Sequence, residues 1–171
     1  SENMLDYIPQ NIKKKYYHKF FIQSLGVDYN TFTISSKEKA QDELHIPRGE
    51  YVLFSDVSNC TIKRRDIAKA IVAQLGTRYK LLLMCGIKPS DVPVYINASD
   101  FVLLTSDEEG SPNIIREALA LNKPFFSVKV GDAAKQLEGL ENSTIISRNP
   151  IEAANTIKEY SARNQVKEAG D

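Results

Sequence analysis

The stretch DFVLLTSDEEGSPNIIREALALNKPFFSV, residues 100–128, changes texture three times. DFVLL (100–104) is a short apolar run without polar alternation, as expected of a strand covered on both faces. TSDEEGS (105–111) is polar, and Gly110-Ser111-Pro112 is a turn signal. NIIREALALN (113–122) has helical periodicity, and PFFSV (124–128) begins a second apolar run. Strand, loop, helix, strand is a βαβ unit with parallel strands.

The same alternation extends in both directions. Apolar runs recur at YVLFS (51–55), KLLLMC (80–85) and STII (143–146). Helix-period segments recur at RRDIAKAIVAQLG (64–76), DAAKQLEG (132–139) and PIEAANTIKEYSAR (150–163). In the first of these, Ile67, Ile71, Val72 and Leu75 share one face and Gly76 is the stop. Pro150 suits the first turn of the last helix. KFFIQS (19–24) reads as one more strand, followed by a surface excursion through 28–49. The pattern predicts an α/β fold, a three-layer α/β/α Rossmann-like domain with a parallel sheet of about six strands. In such sheets ligands bind beyond the carboxyl ends of the strands.

A chain of 171 residues fits one domain, and Lys plus Arg balance Asp plus Glu at 22 each, so no nucleic-acid partner is expected. One basic cluster, KKKYYHK (13–19), is compatible with an anionic membrane surface, although a solvated helix face is the ordinary reading. Cys60 and Cys85 form no CxxC pair, so reduced thiols are expected. No apolar run is long enough to span a bilayer. The domain is expected over 20–163, with 1–19 as a linker or remnant of a preceding half and 164–171 as a frayed tail.

Several chemistries lack their motifs. No GxGxxG follows a strand, and there is no GxxxxGK[ST]. His18 and His45 stand apart from other ligand types, and Asp107-Glu108-Glu109 lacks the spacing of a metal site. What remains is the loop into helix 113–122. A helix N-terminus offers unpaired N–H groups and partial positive charge to a phosphate. Gly110 and Ser111 permit close approach, Glu117 one turn in can accept from a ribose diol, and Glu109 can hold another hydroxyl. A helix glutamate is more often simply solvated, so spacing alone leaves both readings open.

The segment from Val92 to Asp132 resembles the donor-binding domain of family-4 (group 1) GT-B glycosyltransferases, closest to a bacterial surface-polysaccharide subgroup. Glu109 and Glu117 with seven residues between them, EGSPN, EALA, Pro124 and the following VGD occur in the family's order, and LGVDYNTF (25–32) resembles its NGVDxxxF linker. The resemblance implies one half of a GT-B fold. The full-length protein would be a retaining glycosyltransferase of hexosyltransferase type, moving a sugar from a UDP- or GDP-linked donor to a hydroxyl. No cofactor or metal is implied. Glu117 would hold the ribose, and Glu109, the residue with a catalytic assignment, would face the donor sugar. The backbone around Gly110, Ser111, Pro112, Asn113 and Ile114 would meet diphosphate and sugar, and Gly86 and Ile87 the base. Ser55-Asp56 stands where many relatives have Gly-Arg, so Lys63 and Arg64 are the candidates to neutralise the diphosphate. Implied partners are the missing N-terminal Rossmann half and a glycan or lipid-linked acceptor. The location would be cytoplasmic, compatible with contact to the inner face of the membrane. The isolated domain is expected to be inactive. A GT-B-fold UDP-sugar epimerase and a non-catalytic GT-B-like domain are the alternatives.

Overall fold

The computed structural model describes residues 2–21, 23, 25–56 and 61–168. Helices α1 (Gln10–Tyr16) and α2 (Lys37–Glu43) precede the sheet. There follow β1 (Glu50–Ser55), α3 (Arg65–Leu75), β2 (Tyr79–Met84), α4 (Val92–Ala98), β3 (Phe101–Leu104) and α5 (Asn113–Ala120). The chain continues with β4 (Phe125–Val128), α6 (Ala133–Leu137), β5 (Thr144–Ile146) and α7 (Pro150–Glu168). All strands pair in parallel, in the order β2-β1-β3-β4-β5, with helices on both faces.

Burial follows position in the sheet. All four residues of β3 and all four of β4 are buried, as are Tyr51 to Phe54 of β1. The edge strands β2 and β5 are only partly covered. On the helical layers, α3 buries Ile67, Ala68, Ile71, Val72 and Leu75 and packs on α7, whose Ala153, Ala154 and Ile157 are also buried. Gly76, at φ 106, ends α3 as expected.

Two sequence expectations change, and one further helix forms that the periodicity did not mark. The excursion through 28–49 contains α2, which Ser36 caps by accepting a hydrogen bond from Lys39 N–H (3.2 Å). Gln41 is 1% exposed and locks this helix to the sheet, donating to the carbonyls of Gly49 (2.9 Å) and Ala98 (3.0 Å). VPVYINA forms α4, with Pro93 in the first turn where its missing N–H costs nothing. The sheet has five strands among the described residues: Tyr17–Lys19 form a 3-10 turn, and Phe20, Phe21 and Gln23 carry no strand. The rest of that expected strand, Ile22 and Ser24, lies outside the described residues, as does Cys60. Among the described residues no helix is long and apolar enough to cross a membrane.

Candidate functional site

From β1 the chain passes through α3 to β2 on one side; from β3 it passes through α5 to β4 on the other. The loops after β1 and β3 therefore diverge from adjacent strands, opening a crevice at the switch point of the sheet. Both predicted cations and Glu109 lie on these loops.

Backbone and side chains lace the two loops together. Asp107 N–H donates to Ile62 O (2.8 Å), and Thr105 Oγ1 donates to the carbonyls of Lys63 (3.0 Å) and Arg64 (2.9 Å). Lys63 Nζ lies 2.7 Å from Glu109 Oε1, which also accepts from Ser106 Oγ (2.8 Å). Arg64 has left-handed backbone (φ 54) just before α3 and grips Asp66 through Nε (3.0 Å) and Nη2 (2.9 Å). Its Nη1 reaches the two carboxylate oxygens of Asp107 more loosely, at 3.3 and 3.4 Å. Asp66 is held below the ordinary carboxylate range, first by that hydrogen bond from Arg64. A cavity of about 630 Å³ between the loops is lined by Asp56, Arg64, Arg65, Asp66, Asp107 and the residues Thr61 and Ile62.

The remaining candidates lie on the loop after β3, on α5 and in the turn after β2. Pro112 is the N-cap of α5 and no side chain caps the helix. Ile114, Ile115 and Ala118 face inward, which leaves the first-turn N–H groups and Asn113 at the outer end. Ser111 Oγ accepts from Arg116 Nη1 (3.0 Å), and Asn113 Oδ1 accepts from Arg116 Nη2 (2.6 Å). Gly86, at φ 64, and Ile87 follow β2, the strand beside β1. Glu109, Gly110, Ser111, Pro112, Asn113, Ile114 and Glu117 do not line the cavity; they belong to the loop and helix beside it.

Glu117 is half-buried, and among the described residues no hydrogen-bond donor reaches its carboxylate. Burial pushes its carboxyl above the ordinary glutamate value of 4.5, with Arg116 opposing the shift. The folded state therefore binds this proton more tightly than the unfolded chain. Stability falls as pH rises through the raised pKa, and the full cost is present at neutral pH. Glu117→Gln is accordingly expected to raise the thermal midpoint at neutral pH, with the gain disappearing in acid; a melting series against pH measures this.

Several contacts had no sequence signal. Arg148, after β5, donates to Thr105 O (3.2 Å), Ser106 O (2.8 Å) and Asp107 Oδ1 (2.8 Å), clamping the loop that leads to Glu109. Arg65 pairs with buried Asp56. Gly131 lies directly against the backbone of Glu109 and Gly110. Among the described residues no group of three or more metal-ligating side chains comes together; Asp107 is engaged by arginines instead.

The five-stranded parallel sheet with helices on both faces is a Rossmann-like fold matching C-terminal GT-B domains. A glycosyltransferase from Rickettsia africae matches at TM-score 0.69 and 15% identity, over 90% of this chain and 50% of that one. The Anabaena protein HepE in complex with UDP-glucose matches at TM-score 0.68 and 21% identity, over 82% of this chain and 47% of that one. The C-terminal domain of LpcC, a group 1 glycosyl transferase family protein from Francisella tularensis, matches at TM-score 0.64 and 15% identity, over 80% and 88%. The chain thus spans about half the length of the whole glycosyltransferases it matches. No family model and no curated protein sequence matches it.

Proposed function

We propose that this chain is the donor-binding half of a GT-B glycosyltransferase and grips a nucleotide sugar across the β1/β3 crevice. The observation that carries the reading is the switch-point arrangement: Lys63 and Arg64 on one loop meet Glu109 and Asp107 on the other, beside the uncapped N-terminus of α5. Glu117 adds to it, since a half-buried carboxylate without a hydrogen-bond donor costs stability and suits a ribose diol.

In this reading the diphosphate takes over Lys63 and Arg64 from their carboxylates. Neither acid is stranded by the exchange. Glu109 keeps the Ser106 hydroxyl, and Asp107 keeps Arg148, whose 2.8 Å bond is shorter than those from Arg64. The α5 N-terminus and the two cations then stabilise charge as it develops on the leaving diphosphate. Glu109 faces the donor sugar, and the base lies near Gly86 and Ile87. With its N-terminal partner half, the protein would transfer the sugar to a glycan or lipid-linked hydroxyl with retained configuration, in surface-polysaccharide synthesis on the cytoplasmic side of the membrane. UDP is the first probe, because HepE, a neighbour in fold, is known with UDP-glucose.

The test is a calorimetric or NMR titration with UDP, GDP and ADP. One nucleotide is expected to bind, and Glu117→Ala to weaken it about 10- to 100-fold, the worth of hydrogen bonds to a charged group. Unchanged affinity in that variant would remove Glu117 from the site. Failure of all three nucleotides with the full-length protein would favour a non-catalytic domain, in which the carboxylate-bound state of Lys63 and Arg64 is the working state.

A further inference from the structure

Asp107, on the loop after β3, is reached by two arginines from two different loops. Arg64, just before α3, approaches both of its carboxylate oxygens at 3.3 and 3.4 Å, while Nε and Nη2 grip Asp66 at 3.0 and 2.9 Å. Arg148, after β5, donates to Asp107 Oδ1 at 2.8 Å. The shorter bond thus comes from the arginine that does not line the cavity, and the longer ones from the arginine that does.

Arg148 is itself fixed. Its Nη1 and Nη2 donate to the carbonyls of Thr105 (3.2 Å) and Ser106 (2.8 Å), two residues with no exposed surface. A planar guanidinium seated on two backbone carbonyls presents its charge in one geometry, which removes much of the side-chain entropy cost that weakens exposed ion pairs. Asp107 is held as well, its N–H donating to Ile62 O at 2.8 Å. The carboxylate therefore sits between a seated cation and a looser one. Without the charge of Arg148, Arg64 would be the remaining arginine on Asp107 among the described residues, drawn to the carboxylate and away from the cavity.

We infer that Arg148 is a positioning residue for anion binding: it occupies Asp107 and so leaves Arg64 available to a phosphate in the crevice. The inference rests on the donor reading of that crevice and extends it to a residue from the loop after β5, two strands away from β3.

Calorimetric titration of this chain at low ionic strength, with UDP and separately with inorganic pyrophosphate, tests it. Arg148→Lys keeps a positive charge beside Asp107 and is expected to match wild type. Arg148→Gln removes the charge and is expected to weaken both ligands about 2- to 5-fold, the range open to a half-exposed ion pair, with the loss shrinking in high salt. Adding Asp107→Asn to Arg148→Gln removes the competitor for Arg64 and should restore wild-type affinity. A residue that only props the loop behaves differently. The Lys and Gln variants both give up the fork on the two carbonyls, so they would lose affinity alike, and Asp107→Asn would not restore it; either result overturns the inference. Unchanged affinity in Arg148→Gln overturns it too. Asp107→Asn alone leaves the guanidinium on its carbonyls and should bind at least as tightly as wild type; weaker binding overturns the inference even where Arg148→Gln does not fold. Pyrophosphate separates this inference from the donor reading. The expected order with pyrophosphate but no binding of UDP would keep Arg148 in its role and remove the nucleotide. Binding of UDP with equal affinity across the variants would remove Arg148 and keep the nucleotide, and binding of neither ligand overturns both.

Discussion

Gly131→Ala is expected to lower the free energy of unfolding by about 2–5 kcal/mol and to remove nucleotide binding at the same time. Gly131 has φ +52, a conformation that costs an L-residue about 1–2 kcal/mol. The larger effect is steric. A Cβ at this position would lie 2.6 Å from Gly110 O and 2.7 Å from Glu109 O. Both are backbone atoms and cannot rotate aside as a side-chain end could, so overpacking adds about 1–3 kcal/mol. Asp132 N–H also donates to Gly110 O (3.3 Å), a second tie between the loop after β3 and the start of α6. If they separate, Glu109 is drawn away from Lys63, and the crevice loses the contact between its two sides. Urea denaturation beside a UDP titration measures both effects. Gly139→Ala is the control: it shares the positive φ (+77) but meets nothing within 4 Å, so it should keep nucleotide binding and lose only the conformational part of the stability. A Gly131→Ala protein with an unchanged urea midpoint would mean that the 109–110 loop does not rest on this glycine.

The strands were legible because β1, β3 and β4 are buried over consecutive residues, which leaves uninterrupted apolar runs in the sequence. KFFIQS shows the limit of that signal. Phe21 is apolar and β-prone, yet no neighbouring strand takes it up and it stays exposed, because pairing is a property of the sheet and not of the run. The helices α2 and α4 were missed for different reasons. In α4, β-branched Val and Ile with a proline conceal a helix whose buried side is Pro93, Ile96, Asn97 and Ala98. In α2 the buried positions are only Ala40 and Gln41, too few to make a stripe. The candidate site was legible where its residues are close in sequence, from Glu109 to Glu117 on one loop and helix. The Lys63–Glu109 contact spans 46 positions and the Arg148–Thr105 contact 43, distances at which a single sequence carries no spacing signal. Gly131 reads as an ordinary turn glycine until the carbonyls against it are seen.

Arg65→Met is expected to be the most damaging change near the crevice that leaves every proposed ligand contact in place, at a cost of about 3–5 kcal/mol. Asp56, just after β1, is 1% exposed; its Oδ2 accepts from Arg65 Nε (2.5 Å) and is also paired with Nη2. Among the described residues its Oδ1 has no hydrogen-bond partner, and Arg65 is the compensating charge for this buried carboxylate. Methionine keeps the length of the stem and removes the charge, leaving a buried anion uncompensated. The reverse truncation is not equivalent. The Arg65 side chain is 30% exposed, so after Asp56→Ala its guanidinium stays hydrated, and the cost should be smaller. Removing both charges with apolar side chains, Asp56→Leu with Arg65→Met, should recover most of the loss, because a buried ion pair contributes little over a well-packed apolar pair. The expected order of stability is therefore wild type and double variant highest, Asp56→Ala between, and Arg65→Met lowest, read from urea midpoints at neutral pH. Equal losses from the two single variants would show that burial of Asp56 is not what makes the pair asymmetric. The stem of Arg65 in the first turn of α3 would then carry the stability, through packing and not through charge.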